Sequence, residues 1–317
     1  MFSADFTTAH RVSVICFAIG AQISDARTEL AIGIIRSEGE FMKIFNASGV
    51  CLLLAAVATG VQAAEWSDTW IGERYGSRFR EPANSAPISK NILQLQHASS
   101  YSLGSNFLNI DLLRSDASDP AQGGGGARET FVVYRNTLSA SRVAGRSVGT
   151  GKILDFGIVM GFDWNRKNDP FASNVRRPML GPGISFDVPG FWNLALLRQA
   201  ERNYNGISGR AVTFDNAWRI ETAWKTPFEF AGLPVKFQGF LNHVGPKGRD
   251  GFGIQTRAET LLETSIMFDV GRPYAKDTLF AGIGYQYWRN KFGSDSSLDP
   301  SGGSCAHTPQ LQLEWHM

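Results

Sequence analysis

From residue 66 to the last residue, the chain returns to one pattern: segments of about ten residues in which apolar and polar side chains alternate. The clearest runs from Ile153 to Trp164. Leu154, Phe156, Ile158, Met160, Phe162 and Trp164 fall on one face, and Asp155, Gly157, Val159, Gly161 and Asp163 on the other. Period two is the signature of a β-strand with two unlike faces. The same rhythm sets Leu108, Ile110 and Leu112 against Asn109 and Asp111, and Trp218, Ile220 and Trp224 against Arg219, Glu221 and Ala223. It also sets Leu262, Thr264, Ile266 and Phe268 against Glu263, Ser265 and Asp269, with Met267 the apolar exception. No stretch shows sustained helical period.

Twelve such strands are predicted, near 68–79, 91–101, 105–116, 128–139, 152–165, 177–188, 191–203, 214–227, 234–245, 257–271, 277–291 and 307–317. The faces of the first and seventh are ambiguous. In the seventh, Arg198 and Arg202 share a face with Trp192, Leu194 and Leu196, so they belong beyond the apolar band. Odd-numbered connections are long and polar (117–127 with its four glycines, 166–176, 246–256, 292–306). Several even-numbered ones are tight (101–104, Pro189-Gly190, 271–276). Long loops on one side and short turns on the other mark an outer-membrane barrel, and ten residues suffice for a tilted spanning strand. A soluble sandwich would carry polar outer faces. Here one face is rich in Trp and Phe while the other holds Asp, Glu, Arg and Gln, which suits lipid outside and water inside. Closure leaves no unpaired edge in hydrocarbon. The expected fold is therefore all-β: a 12-stranded antiparallel transmembrane β-barrel in the bacterial outer membrane. Tyr75, Tyr134, Trp164, Trp192, Trp224 and Tyr287 fall near strand ends, where amphipathic rings form girdles.

The sequence upstream reads as an address. Met42-Lys43 precedes an apolar run, Val50 to Val61, closed by Ala63 and Ala64. This is the pattern of a cleaved signal peptide at 42–63, with residues 1–41 an extension ahead of the true start. The barrel then occupies 64–317, with 27 basic and 24 acidic residues. So small an excess gives no electrostatic footprint for nucleic acid. Cys305 is its single cysteine, so no intramolecular disulfide can form.

Several segments resemble the nucleoside-specific channel-forming outer-membrane proteins, the Tsx-like family. They include Trp66-Ser67-Asp68-Thr69, Tyr75-Gly76-Ser77-Arg78-Phe79-Arg80-Glu81-Pro82, Val132-Val133-Tyr134-Arg135, Phe186-Asp187-Val188-Pro189-Gly190-Phe191 and Trp218-Arg219-Ile220-Glu221-Thr222-Ala223-Trp224. Lys236-Phe237-Gln238-Gly239-Phe240 and Gly284-Tyr285-Gln286-Tyr287-Trp288-Arg289-Asn290-Lys291 continue the match. The resemblance lies in their order and spacing over nearly all of 64–317. It implies a monomeric twelve-stranded barrel with a narrow pore for nucleosides and deoxynucleosides. It transfers no individual binding residue.

The residues themselves nominate a pore lining. Asp111, Asp155, Asp163, Glu221 and Glu263 fall on the predicted water-facing side, opposed by Arg135 and Arg219, and Glu129, Asp269, Lys225 and Lys236 share that side. Phe131, Phe240, Phe280 and Trp288 add aromatic surface on which a base could stack. Pairing of charges across strands to hold the wall is the competing role. The expected partners are outer-membrane lipid and lipopolysaccharide, a small solute such as a nucleoside, and phage or bacteriocin at the outer loops. No cofactor, metal or nucleic acid is expected. The alternatives are a non-selective small porin, a structural or receptor barrel, or a phospholipase-type enzyme. For the last, His243 is the best-placed histidine, but no Gly-x-Ser-x-Gly accompanies it. Asp116, Asp119, Asp295 and Asp299 read as solvated loop acids.

Overall fold

A computed structural model describes residues 64–120, 126–168, 173–205 and 208–317. The expected extension at 1–41 and signal peptide at 42–63 lie outside the described residues. Fourteen strands form: β1 (Trp66–Phe79), β2 (Ile88–Tyr101), β3 (Gly104–Ser115), β4 (Arg128–Ser139), β5 (Ile153–Lys167), β6 (Arg176–Phe186), β7 (Phe191–Gln199), β8 (Arg202–Asn205), β9 (Arg210–Thr213), β10 (Ala217–Phe230), β11 (Leu233–Val244), β12 (Glu259–Asp269), β13 (Leu279–Arg289) and β14 (Cys305–His316). Twelve of them make one antiparallel ring in the order β1 to β7 and then β10 to β14. β14 pairs back onto β1, for example Gly72 with Glu314. β8 and β9 form a small hairpin above the ring, with β8 laddered to β6 through the pair Arg176–Arg202.

The faces are inverted relative to a soluble protein. Among the described residues, thirty polar or charged side chains are buried against fifteen apolar ones, while Leu93, Leu112, Phe156, Ile158, Phe162, Trp192, Leu196, Ile220, Ile283, Leu311 and Trp315 are exposed. Such a surface would be unstable in water, where apolar area costs about 25 cal/mol per Å². It is stable only if the outside meets hydrocarbon. Twelve residues at about 3.3 Å each, tilted by about 45°, rise roughly 28 Å, close to a bilayer's apolar core.

The strand count and the long–short alternation of connections agree with the sequence pattern. Three features differ. The seventh connection carries the β8–β9 hairpin. The fourth holds a helical turn, α1 (Ala140–Ala144), capped by Ser139 and ended by Gly145 with φ +65°. The first strand points Gly72, Arg74 and Gly76 inward while Ile71, Glu73 and Tyr75 face out, which resolves its ambiguous faces. Met267 is fully buried on the inner wall. At the tight turn before β7, a β-carbon on Gly190 (φ +82°) would come within 1.8 Å of the Lys225 carbonyl, so that corner accepts glycine alone.

Both described ends, Ala64 and Met317, lie on the short-turn side, where Met317 N donates to the Thr69 carbonyl. In barrels of this kind that side faces the periplasm and the long loops face out.

Candidate functional site

The lumen is built from inward-facing residues of every ring strand, and charged groups dominate it. They form four clusters along the barrel axis.

At the outer mouth, the Glu81 carboxylate meets Lys90 at 3.0 Å, Lys291 at 3.3 Å and Lys167 at 3.5 Å. Asp119 lies 3.5 Å from Lys167 and accepts from Ser115 Oγ at 2.7 Å; Glu129 closes the group 3.7 Å from Lys167. Lys291 also donates to the Arg80 carbonyl and sits 4.3 Å over the Trp288 ring, whose Nε1 donates to Glu259. Burial pushes the Lys291 ammonium down to about 8, although Glu81 opposes the shift.

Two networks occupy the middle. In one, Asp163, 1% exposed, accepts from Arg135 at 2.8 Å, Arg219 at 2.9 Å and Arg177 at 3.2 Å. Glu221 accepts two hydrogen bonds from Arg135, both 2.8 Å, and one from Arg219 at 2.7 Å. Since β4 and β10 stand four places apart in a ring of twelve, the Arg135–Glu221 pair is a strut across the lumen. Arg177 continues to Glu201 and Glu201 to Lys247, which lies 4.4 Å over Phe214. In the other network, Arg74 binds Asp111 at 2.8 Å and reaches Glu263 three strands away. Gln94 and Asn109 also donate to Asp111, and Gln286 donates to Glu263. Ions this buried persist only when paired and hydrogen-bonded.

The inner vestibule is a cavity of about 420 Å³ lined by Asp68, Lys225, Lys236, Phe280 and His316 among others. Lys236 bonds Glu314 at 2.5 Å and lies 3.7 Å over the Phe280 ring, while His316 stacks on Trp70 and bonds Asp68.

The predicted lining therefore separates by height. Arg135, Asp163, Arg219 and Glu221 come together in one network, and Asp111 and Glu263 meet through Arg74. Phe280 belongs to the vestibule and Trp288 to the outer mouth. Asp155 joins none of these clusters. Its carboxylate accepts from Ser139 Oγ, Ser141 N and Ser141 Oγ, fastening the α1 turn at the inner rim.

Beside the two middle networks a strip of lumen surface on facing walls stays partly open: Phe131 and Val133 on β4, and across the lumen Glu221 and Ala223 on β10, Phe240 and Asn242 on β11, and Leu261 and Glu263 on β12. Among the described residues, eight buried polar atoms of the inner wall have no protein partner: Arg74 Nε, Arg219 Nε, Asn109 Oδ1, Gln199 Oε1, Asn242 Oδ1, Asp269 Oδ1, Gln286 Oε1 and Gln310 Nε2. Buried polar atoms are rarely left so. This mixed set of donors and acceptors suits hydroxyl-bearing solutes.

Sequence periodicity missed Arg74, because glycines flank it on its face. It missed Glu81, Glu201, Lys247 and Lys291 because they lie outside regular ring strands. The loop acids are also tied down. Asp119 is buried, Asp116 accepts from Ser89 N and Ser118 N, and Asp295 and Asp299 accept from Ser297, Ser301 and Ser304. His243 faces outward and bonds Thr260.

The network that runs from Asp163 through Arg177 to Glu201 and Lys247 sets an acid limit. Burial alone would raise the Glu201 carboxyl, but Arg177 and Lys247 overcome it and hold the group at about 2, against 4.5 unperturbed. A carboxyl depressed in the folded state contributes stability above its unfolded value and loses it as pH falls through the folded one. Thermal unfolding of the purified protein should be level between about pH 5 and 7 and fall steeply between pH 4.5 and 2. In Glu201→Gln that part of the slope should vanish; an unchanged slope would mean the carboxyl is not held this way.

A closed, even-stranded antiparallel ring with an apolar outside and a charged inside defines a bacterial outer-membrane β-barrel. No protein-family model matches the chain, and no curated protein does. Solved structures of similar shape are the NanC porin (11% identity, 78% of this chain and all of that one, TM-score 0.46) and the KdgM porin (9%, 78% and 98%, 0.39). A third is the translocator domain of the autotransporter NalP from Neisseria meningitidis (12%, 86% and 96%, 0.38). The assignment to the outer membrane rests on this chain's own closure, strand count and outward apolar face.

Proposed function

We propose that the barrel is a narrow channel for passive entry of small polar solutes, and that nucleosides are the solutes it passes. The observation that carries this is the partly open strip beside the middle networks. Phe131 and Phe240 offer ring faces there, and the unpaired atoms of Arg74 (β1), Asn109 (β3), Arg219 (β10) and Asn242 (β11) offer hydrogen bonds from around the lumen. A base has a flat apolar face and a sugar has hydroxyls, so a nucleoside engages both kinds of group. Ion pairs on either side keep the passage thin. Weak binding at several points speeds passage without trapping the solute. The resemblance to the Tsx-like family points to the same solutes.

Single-channel recording in planar bilayers tests this. Small, steady conductance is expected, blocked saturably by adenosine and thymidine and not by glucose. Stacking on an aromatic side chain is worth about 1–3 kcal/mol per base, so Phe131→Ala and Phe240→Ala should each weaken the block about fivefold or more. Conductance without selective block would leave a general small porin. Absence of conductance would remove the channel reading altogether.

A further inference from the structure

The lumen and the outer rim treat arginine in opposite ways. Inside, Arg74, Arg135, Arg177 and Arg219 are each ion-paired with carboxylates. Outside, at the long-loop end, a second set runs across five adjacent ring strands and the hairpin: Arg114 (β3), Arg128 (β4), Arg166 (β5), Arg176 (β6), Arg198 (β7) and Arg202 (β8). Each alternates with inward neighbours such as Ser115, Glu129, Asn165, Arg177, Leu197 and Glu201, so each points away from the lumen. None forms an ion pair among the described residues.

Their registry sharpens the point. Arg114 stands directly opposite Arg128 across the β3–β4 ladder, and Arg176 opposite Arg202. Like charges facing one another across strands are unfavourable, by about 0.2–1 kcal/mol in the usual range. The arrangement calls for an anion from outside the protein. The belt lies just beyond the outward apolar residues Leu112 and Leu196, at head-group height, and Arg198 is anchored 5.3 Å over the exposed Trp218 ring. At the inner rim the outward strand positions carry Phe156, Trp192, Phe230 and Trp315 instead, and the cations Arg146, Lys152, Arg272 and Lys276 of that side sit in the connections rather than on the strands. All six cations are arginine, whose planar fork matches a phosphate with two hydrogen bonds, where lysine would offer a point charge. Neighbouring strands lie about 4.8 Å apart, so the belt spans roughly 20 Å and can hold more than one phosphate at once.

We propose that this arginine belt is a docking surface for the phosphate-bearing lipid of the outer leaflet, lipopolysaccharide in a bacterial outer membrane. Phosphates would sit between Arg114 and Arg128 and between Arg176 and Arg202, relieving both like-charge pairs. The acyl chains would lie along the apolar wall below. The proposal is independent of what passes through the lumen.

Native mass spectrometry of the purified protein in detergent tests it, with three lipids titrated separately: lipopolysaccharide, chemically dephosphorylated lipopolysaccharide, and phosphatidylglycerol. Lipopolysaccharide should bind at least tenfold more tightly than either of the others. The quadruple variant R114Q/R128Q/R166Q/R176Q, its fold checked by heat-modifiable migration in electrophoresis, should lose that advantage. If it does not fold, R114Q/R128Q serves with a smaller loss expected. Equal binding of the dephosphorylated lipid would overturn the proposal in favour of sugar or acyl recognition. Equal binding of phosphatidylglycerol would reduce the belt to a general anion surface and overturn it too, as would undiminished binding by the folded variants.

Discussion

Asp163→Asn should be the most destabilising conservative substitution in the barrel, at about 3–5 kcal/mol, the usual cost of removing one partner from a buried ion cluster. Asp163 is 1% exposed and is the common acceptor for Arg135, Arg177 and Arg219. With Lys247, these make four cations against Asp163, Glu201 and Glu221. Neutralising Asp163 leaves four cations facing two carboxylates in a wall that admits little water. The amide keeps the shape but cannot balance the charge. Urea unfolding of the barrel in lipid vesicles, followed by tryptophan emission, measures the loss. A second substitution, Arg219→Met, should restore part of it, because it withdraws one of the stranded cations; neighbours in one network are non-additive in this way. A loss below about 1 kcal/mol would show that the cluster is solvated, and so worth no more than a surface pair.

Much of this arrangement is written in the sequence, and the part that is not has physical causes. Period two reveals which face a residue occupies wherever both neighbouring phases differ, as they do at Leu154 to Trp164, with lipid on one side and the polar lumen on the other. Parity therefore identified Arg135, Asp163, Arg219, Glu221, Asp111 and Glu263 as inward-facing. Parity does not give height along the axis, or the partner. Asp155 has the inward phase of Asp163, yet a bulge between Ile153 and Asp155 and the adjoining α1 turn engage its carboxylate at the rim. In β1 the phase itself is blurred, since glycines at 72 and 76 flank Arg74 and a charged Glu73 faces outward. Loops carry no period at all. Glu81, Lys247 and Lys291 look like ordinary solvated charges in sequence, but their loops fold back and bury them, Glu81 and Lys291 in the outer mouth and Lys247 against Glu201. The β8–β9 hairpin, four residues to a strand, is too short for alternation to register.

Removing the strut should separate stability from permeation. In the double variant Arg135→Ala with Glu221→Ala, both ends of the cross-lumen pair vanish together, so the charge balance of the network is kept. Asp163 retains Arg219 at 2.9 Å and Arg177 at 3.2 Å. The space released borders the partly open strip at Phe131 and Phe240, where water can fill it. The penalty of an empty cavity, which accompanies truncation in a dry core, therefore does not arise. The stability loss should be well below that of Asp163→Asn. Conductance, by contrast, should rise on the order of threefold or more, because the strut crosses the narrow section through which any solute must pass. Nucleoside block should weaken at the same time, since a wider section lets the base pass without stacking. The outcome is read in single-channel records of the wild-type and double-variant proteins under the same salt. If conductance is unchanged in a variant that still folds, permeating ions do not pass between Arg135 and Glu221, and the strip beside them is not the route. If conductance rises while nucleoside block is undiminished, the strut limits the pore but the solute is recognised elsewhere, with the Phe280 vestibule the next place to test.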